Sequence, residues 1–113
     1  MRKPNLQKLL TKWQRRLRLQ DFDISIRYAS AEEMQGTVGM CELDWKNGCF
    51  DIKIVEPKAN THSDPNFHNI ELTIVHELMH IILQPLLKEK EPDLYDQLVE
   101  QSIEKLAKGF LEV

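Results

Sequence analysis

Residues 70–83 read IELTIVHELMHIIL, and wound at about 100° per residue they place Thr73, His76, Glu77 and His80 on one narrow polar stripe. Ile70, Leu72, Ile74, Val75, Leu78, Met79, Ile81, Ile82 and Leu83 cover almost everything else. A helix that is apolar nearly all round is a buried helix, so the rest of the chain must be arranged around this segment. The polar groups on its stripe must then be satisfied, because unpaired polar side chains in an interior are costly.

Residues four apart lie on one helical face, so His76 and His80 can present two imidazoles to a single metal ion while Glu77 projects beside them. The run HELMH has the HExxH spacing of a two-histidine zinc site, and a metal with its water would satisfy the stripe. Catalytic zinc takes three protein ligands and keeps one position open. No histidine follows His80, and the residue six positions on is Leu86, which closes the three-histidine arrangement. The segment PDLYDQLVEQSIEKLAKGF, from Pro92, predicts a second helix. Pro92 suits its first turn, and Tyr95, Val99, Ile103, Leu106 and Phe110 make an apolar face at helical spacing. Glu100 sits at the margin of that face and Glu104 one turn on. Pro85 ends the first helix, and the connection QPLLKEKE lets the second fold back antiparallel.

On these residues the chain resembles the gluzincins, of which thermolysin is the familiar member. Their pattern is an HExxH helix, a glutamate ligand on the next helix, and an acidic residue one turn later that orients the first histidine. Glu100 stands twenty residues beyond His80, the thermolysin-like spacing. Glu104 occupies the orienting position, where thermolysin-like enzymes carry Asp. The chain as a whole most resembles minimal gluzincins and short, phage-associated metallopeptidase-like proteins built on the same core. The match covers about residues 66–110, and the N-terminal half shares only the order of elements.

The resemblance implies Zn2+ held by His76, His80 and Glu100, with Glu104 contacting His76. It also implies Glu77 as the general base for water attacking a peptide bond of a peptide or protein substrate. Gluzincins generally supply a Tyr or His to the oxyanion, and His62, His68 and Tyr95 are the candidates here. A terminal segment blocks the site in some minimal gluzincins, which makes Gly109–Val113 a candidate inhibitory tail. Two rivals are a zinc-stabilised binding module without turnover and a metal-dependent nucleic-acid hydrolase. Known RNA-processing relatives of the second kind carry a third histidine.

At 113 residues the chain is expected to be one domain, residues 1–113, too short for a second lobe, so the site should be an open groove. Asp21–Tyr28 alternates, with Phe22, Ile24, Ile26 and Tyr28 on a common side, and predicts a strand. Asn47-Gly48 is the strongest short hairpin signal. A two-residue loop there pairs Lys46 with Cys49, Trp45 with Phe50, Leu43 with Ile52 and Cys41 with Ile54. In that register Trp45, Leu43, Cys41, Phe50, Ile52 and Ile54 share the core face. Pro4–Leu19 reads as a helix with Leu6, Leu9, Leu10, Trp13 and Leu17 on one stripe. The expected architecture is α+β and zincin-like: an N-terminal helix, a three-stranded, mostly antiparallel twisted sheet, the buried helix and a C-terminal helix. The strand in residues 36–45 or its hairpin partner is the expected edge along the groove, where an extended peptide would pair. Asp64-Pro65 reads as a helix start.

Cys41 and Cys49 lie far apart along the ladder and read as reduced thiols of a cytoplasmic protein, and neither has metal-binding CxxC spacing. No apolar run is long enough to span a bilayer, and the basic start MRKPNLQKLLTKW lacks the apolar stretch of a secretory signal. Residues 1–20 carry seven Lys or Arg and no acid, which leaves a net −10 on the other 93. The basic face reads as the solvated side of the first helix rather than a nucleic-acid contact. It leaves room for a homodimer in which it meets an acidic helix of a second copy.

Overall fold

The computed structural model of the chain describes residues 4–44, 46–57, 69–84 and 92–111, with side chains in the last stretch from Val99 onward. The elements run α1 (Leu6–Arg16), β1 (Asp23–Ala29), α2 (Ala31–Met34), β2 (Gly39–Asp44), β3 (Cys49–Val55), α3 (Ile70–Leu83) and α4 (Pro92–Leu111). The fold is α+β, with three strands in the order β1-β3-β2. The sheet is mixed where a mostly antiparallel one was expected, because β1 pairs parallel with β3 and β2 pairs antiparallel with it.

Each element has a local cause. Asn5 caps α1 by accepting from the Lys8 amide at 3.0 Å, and Leu6, Leu10 and Trp13 are its buried stripe. The helix ends at Arg16, three residues short of the predicted Leu19. Arg18 turns left-handed (φ 59), and the Leu19 amide bonds back to the Gln14 carbonyl at 2.8 Å. Arginine there replaces the glycine that usually marks such an ending, so the stop was not visible in the pattern.

The β2–β3 register differs from the predicted one by two residues. Cys41 faces Ile52 and Leu43 faces Phe50, and Asp44 rather than Lys46 faces Cys49. The cause is Asp44, whose side chain accepts from the Asn47 amide at 3.2 Å and from Asn47 Nδ2 at 2.9 Å. That short-range capture places Asn-Gly at the end of a longer connection, with Gly48 left-handed at φ 67. A slip of two leaves every side chain on its predicted face. Phe50, Ile52 and Ile54 are therefore buried in the core with Ile24, Leu10, Ile74, Val75, Leu78 and Ile81. The expected Trp45 pairing lies outside the described residues.

The core lies between the sheet and the helices α1 and α3, which share one face of it. The other face carries a small cluster in which Met34 of α2 is fully buried with Ala29 and Val55. Glu71 in the first turn of α3 joins that helix to α1, accepting from Trp13 Nε1 at 2.6 Å and Lys12 Nζ at 2.7 Å. Desolvation alone would raise this carboxyl, but the two donors together hold it below its ordinary value. Helix α4 adds Ile103 and Ala107, both fully buried. The proposed inhibitory tail is helical as far as Leu111, and the Phe110 ring meets Trp13 edge-on at 6.4 Å. Cys41 and Cys49 are both free. Among the described residues no helix is long and apolar enough to cross a membrane.

Candidate metal centre

Helix α3 starts at Ile70, where Asn69 accepts from the Leu72 amide at 3.0 Å. Asp64-Pro65, read from sequence as a helix start, lies outside the described residues. The stripe emerges as the pattern requires: Thr73, His76 and His80 are partly buried and Glu77 is 6 % exposed, while the apolar positions face the core. This polar side faces β2 and α4, and α4 brings Glu100 and Glu104 against it. His76 Nε2 lies 2.9 Å from Glu100 Oε2, and His80 Nε2 lies 2.8 Å from Glu100 Oε1. One carboxylate thus spans both imidazoles from a second helix. On the far side of the first ring, His76 Nδ1 lies 3.2 Å from Glu104 Oε1. The additional reach of Glu over Asp does not prevent this contact.

The protonation of these groups matters for what the cluster can hold. A neutral imidazole has one N–H, yet both ring nitrogens of His76 face carboxylate oxygens. When Nδ1–H donates to Glu104, the Nε2 lone pair is aimed at another acceptor, and only a proton or a cation between them relieves that contact. Burial lowers the pKa of His80, only partly opposed by the Glu100 charge, which favours the neutral, metal-ligating form. Burial pushes the Glu77 carboxyl up to about 7, with His76 pulling it down and the charges of Glu100 and Glu104 raising it.

The donor atoms of His76, His80 and Glu100 all lie within 4.8 Å of one another. Bonds of about 2.1 Å in a tetrahedral site hold donors about 3.4 Å apart, so each of the two contacts opens by about half an ångström when its oxygen and nitrogen share a zinc ion. Glu100, whose side chain is 53 % exposed, has the freedom to make that move. Two imidazoles and a carboxylate are also the donor set zinc takes. The residues present therefore fit the ion.

Strand β2 forms one wall of the site. The Val55 amide donates to the Val38 carbonyl at 2.9 Å, and this fixes the phase of the ladder. By alternation Met40 and Glu42 bond to β3, while Gly39, Cys41 and Leu43 turn their backbone N–H and C=O away from it. Strand β2 is the outer strand, as expected, and among the described residues no other strand pairs with it. Two depressions meet at Gly39, His76 and Glu77. One, of about 410 Å3, is walled by Leu72, Thr73 and Glu104. The other, of about 380 Å3, is walled by Cys41, Leu43, His80 and Glu100. The Cys41 thiol is pushed up to about 12, first by burial and then by the charges of Glu77, Asp51 and Glu42, so it is a neutral wall and stands outside the converging donors.

All five residues expected to form the site, His76, Glu77, His80, Glu100 and Glu104, are brought together. Of the three oxyanion candidates, His62 and His68 lie outside the described residues, as does the side chain of Tyr95. Gly39 was not among the residues expected at the site, although an isolated glycine in a strand is a signal of close backbone approach. No protein-family model, no curated protein and no solved structure matches this chain.

Proposed function

We propose that the chain is a gluzincin-like zinc peptidase in which His76, His80 and Glu100 hold the ion. The observation that carries this reading is the convergence of both Nε2 atoms on one carboxylate from another helix, at 2.9 and 2.8 Å, with Glu77 buried alongside. When bound, zinc supplies Lewis acidity toward a carbonyl and toward water. The remaining chemistry belongs to side chains. Glu104 holds the Nδ1 proton of His76 and so fixes the tautomer that leaves Nε2 free to ligate. Glu77 is not a ligand. Its carboxylate takes a proton from the attacking water and passes it to the leaving amine. An extended substrate would add to the free edge of β2 through Gly39, Cys41 and Leu43.

A binding module without turnover is the second reading, favoured by one observation. Among the described residues lining the two depressions there is no phenol, guanidinium or third imidazole to meet an oxyanion. A nucleic-acid hydrolase has less support, since on the basic helix Lys12 is paired with Glu71 and Arg16 stacks on Trp13.

The deciding experiment is incubation of zinc-loaded protein with unstructured polypeptides, beside Glu77→Gln carrying the same zinc. Cleavage by the parent that disappears in the variant supports the peptidase. Zinc retention without cleavage in both establishes the binding module, and equal cleavage in both removes Glu77 as the base.

A further inference from the structure

We propose that Gly39 is a positioning residue for Glu77: its missing side chain is the space into which the carboxylate is set. This inference rests on the peptidase reading for its consequence in turnover, and on geometry alone for its structural content. A Cβ placed on Gly39 would stand 2.4 Å from Thr73 Cγ2, 3.0 Å from Glu77 Oε2 and 3.5 Å from Glu77 Cγ. The first distance is impossible for carbon atoms and the second is tight. The backbone of Gly39 is not in the left-handed region, in contrast to Gly36 and Gly48, so the position calls for glycine because of space and not because of conformation.

Neither neighbour gives way freely. Thr73 Oγ1 donates to the Asn69 carbonyl at 3.2 Å, and swinging Cγ2 clear of a new methyl group would break that bond. Asn69 is also the cap of α3. Glu77 lies between α3 and β2 at 6 % exposure. A methyl group at position 39 therefore drives its carboxylate toward the open groove or levers β2 away from α3. The three atoms nearest the Cβ all belong to Thr73 and Glu77, and no atom of the ligands His76, His80 and Glu100 lies nearer than 3.5 Å, so the collision falls on the base and not on the metal donors.

The test compares the parent, Gly39→Ala, Thr73→Ser and the double variant Gly39→Ala/Thr73→Ser. Serine keeps the hydroxyl and deletes the methyl group responsible for the 2.4 Å contact, so the double variant folds even where the single one does not. Three quantities are read: zinc affinity by chelator competition, kcat and KM on a cleaved polypeptide, and the Glu77 side-chain position by crystallography of the metal-free proteins. The expected result for Gly39→Ala is zinc affinity within about twofold of the parent and kcat lower by tenfold to a hundredfold, the scale set by an ångström-level misplacement, with little change in KM. The double variant regains thermal stability but not kcat, and Glu77 is displaced in both. Full recovery of kcat in the double variant, or an unmoved Glu77 carboxylate, overturns the proposal by reducing Gly39 to a packing partner of Thr73. If the parent cleaves nothing, the peptidase reading fails, and the crystallographic comparison alone decides whether Gly39 seats Glu77.

Discussion

Replacing Glu77 with Gln should stabilise the metal-free protein by an amount that grows with pH. The carboxyl titrates near 4.5 when exposed and near 7 in the fold, chiefly because burial disfavours its charged form. At about 1.4 kcal/mol per tenfold change in proton affinity, the charged form costs about 3 kcal/mol of stability once pH exceeds both values. The sign follows from the direction of the change. Well below 4.5 the carboxyl is protonated in both states and contributes nothing. Between the two values the folded protein keeps a proton that the unfolded chain has released, so stability falls as pH rises. Glutamine has the same shape and no proton to lose, and the neighbouring His76, Glu100 and Glu104 are common to both proteins.

Urea unfolding in the presence of a chelator, followed through the buried Trp13, measures the difference. The Gln variant should be more stable by less than about 1 kcal/mol at pH 5 and by about 3 kcal/mol at pH 8. A gain that does not change with pH, or a loss at pH 8, refutes the reasoning. A residue that destabilises the fold when charged and is nonetheless buried beside two histidines fits a chemical role better than a structural one.

Other outcomes follow from the same contacts. Glu100→Ala should abolish tight zinc binding, while Glu104→Gln should weaken it by about 10- to 100-fold through loss of the contact with His76 Nδ1; chelator competition measures both. Ile103→Ala, at a fully buried position of α4, should lower the unfolding free energy by about 2–4 kcal/mol and weaken zinc as well, because the helix carrying Glu100 is held less firmly. Glu71→Gln should cost about 1 kcal/mol at pH 7 by weakening the contacts with Trp13 and Lys12. The Glu71 carboxyl is held below its ordinary value, so this contribution is present above the usual carboxylate range and fades as pH falls through the depressed value. The gap between parent and variant in chemical denaturation should close accordingly.

The candidate site was legible because its signal is local. Four polar residues among apolar ones fix the face of α3, Pro92 marks the start of α4, and a spacing of twenty residues sets Glu100 against the stripe. The sheet was legible in its faces but not in its register. Asp44 capturing Asn47 lengthened the β2–β3 connection, and a displacement of two residues left the alternation intact. The parallel pairing of β1 with β3 joins residues 26 apart, and no local pattern encodes it. Helix α2 is too short for periodicity to find, although Ser30 and Glu33 have capping-box spacing and Ser30 Oγ accepts from the Glu33 amide at 3.1 Å. The role of Gly39 appears only after α3 has docked on the edge strand. An absent side chain has meaning only beside the atoms that would collide with it.

The most direct measurement is anomalous diffraction at the zinc absorption edge from crystals of the metal-loaded protein. A single peak bonded to His76 Nε2, His80 Nε2 and a Glu100 oxygen is the predicted result. Zinc bound elsewhere on the chain, or bound here with Glu100 turned away from it, would contradict the account.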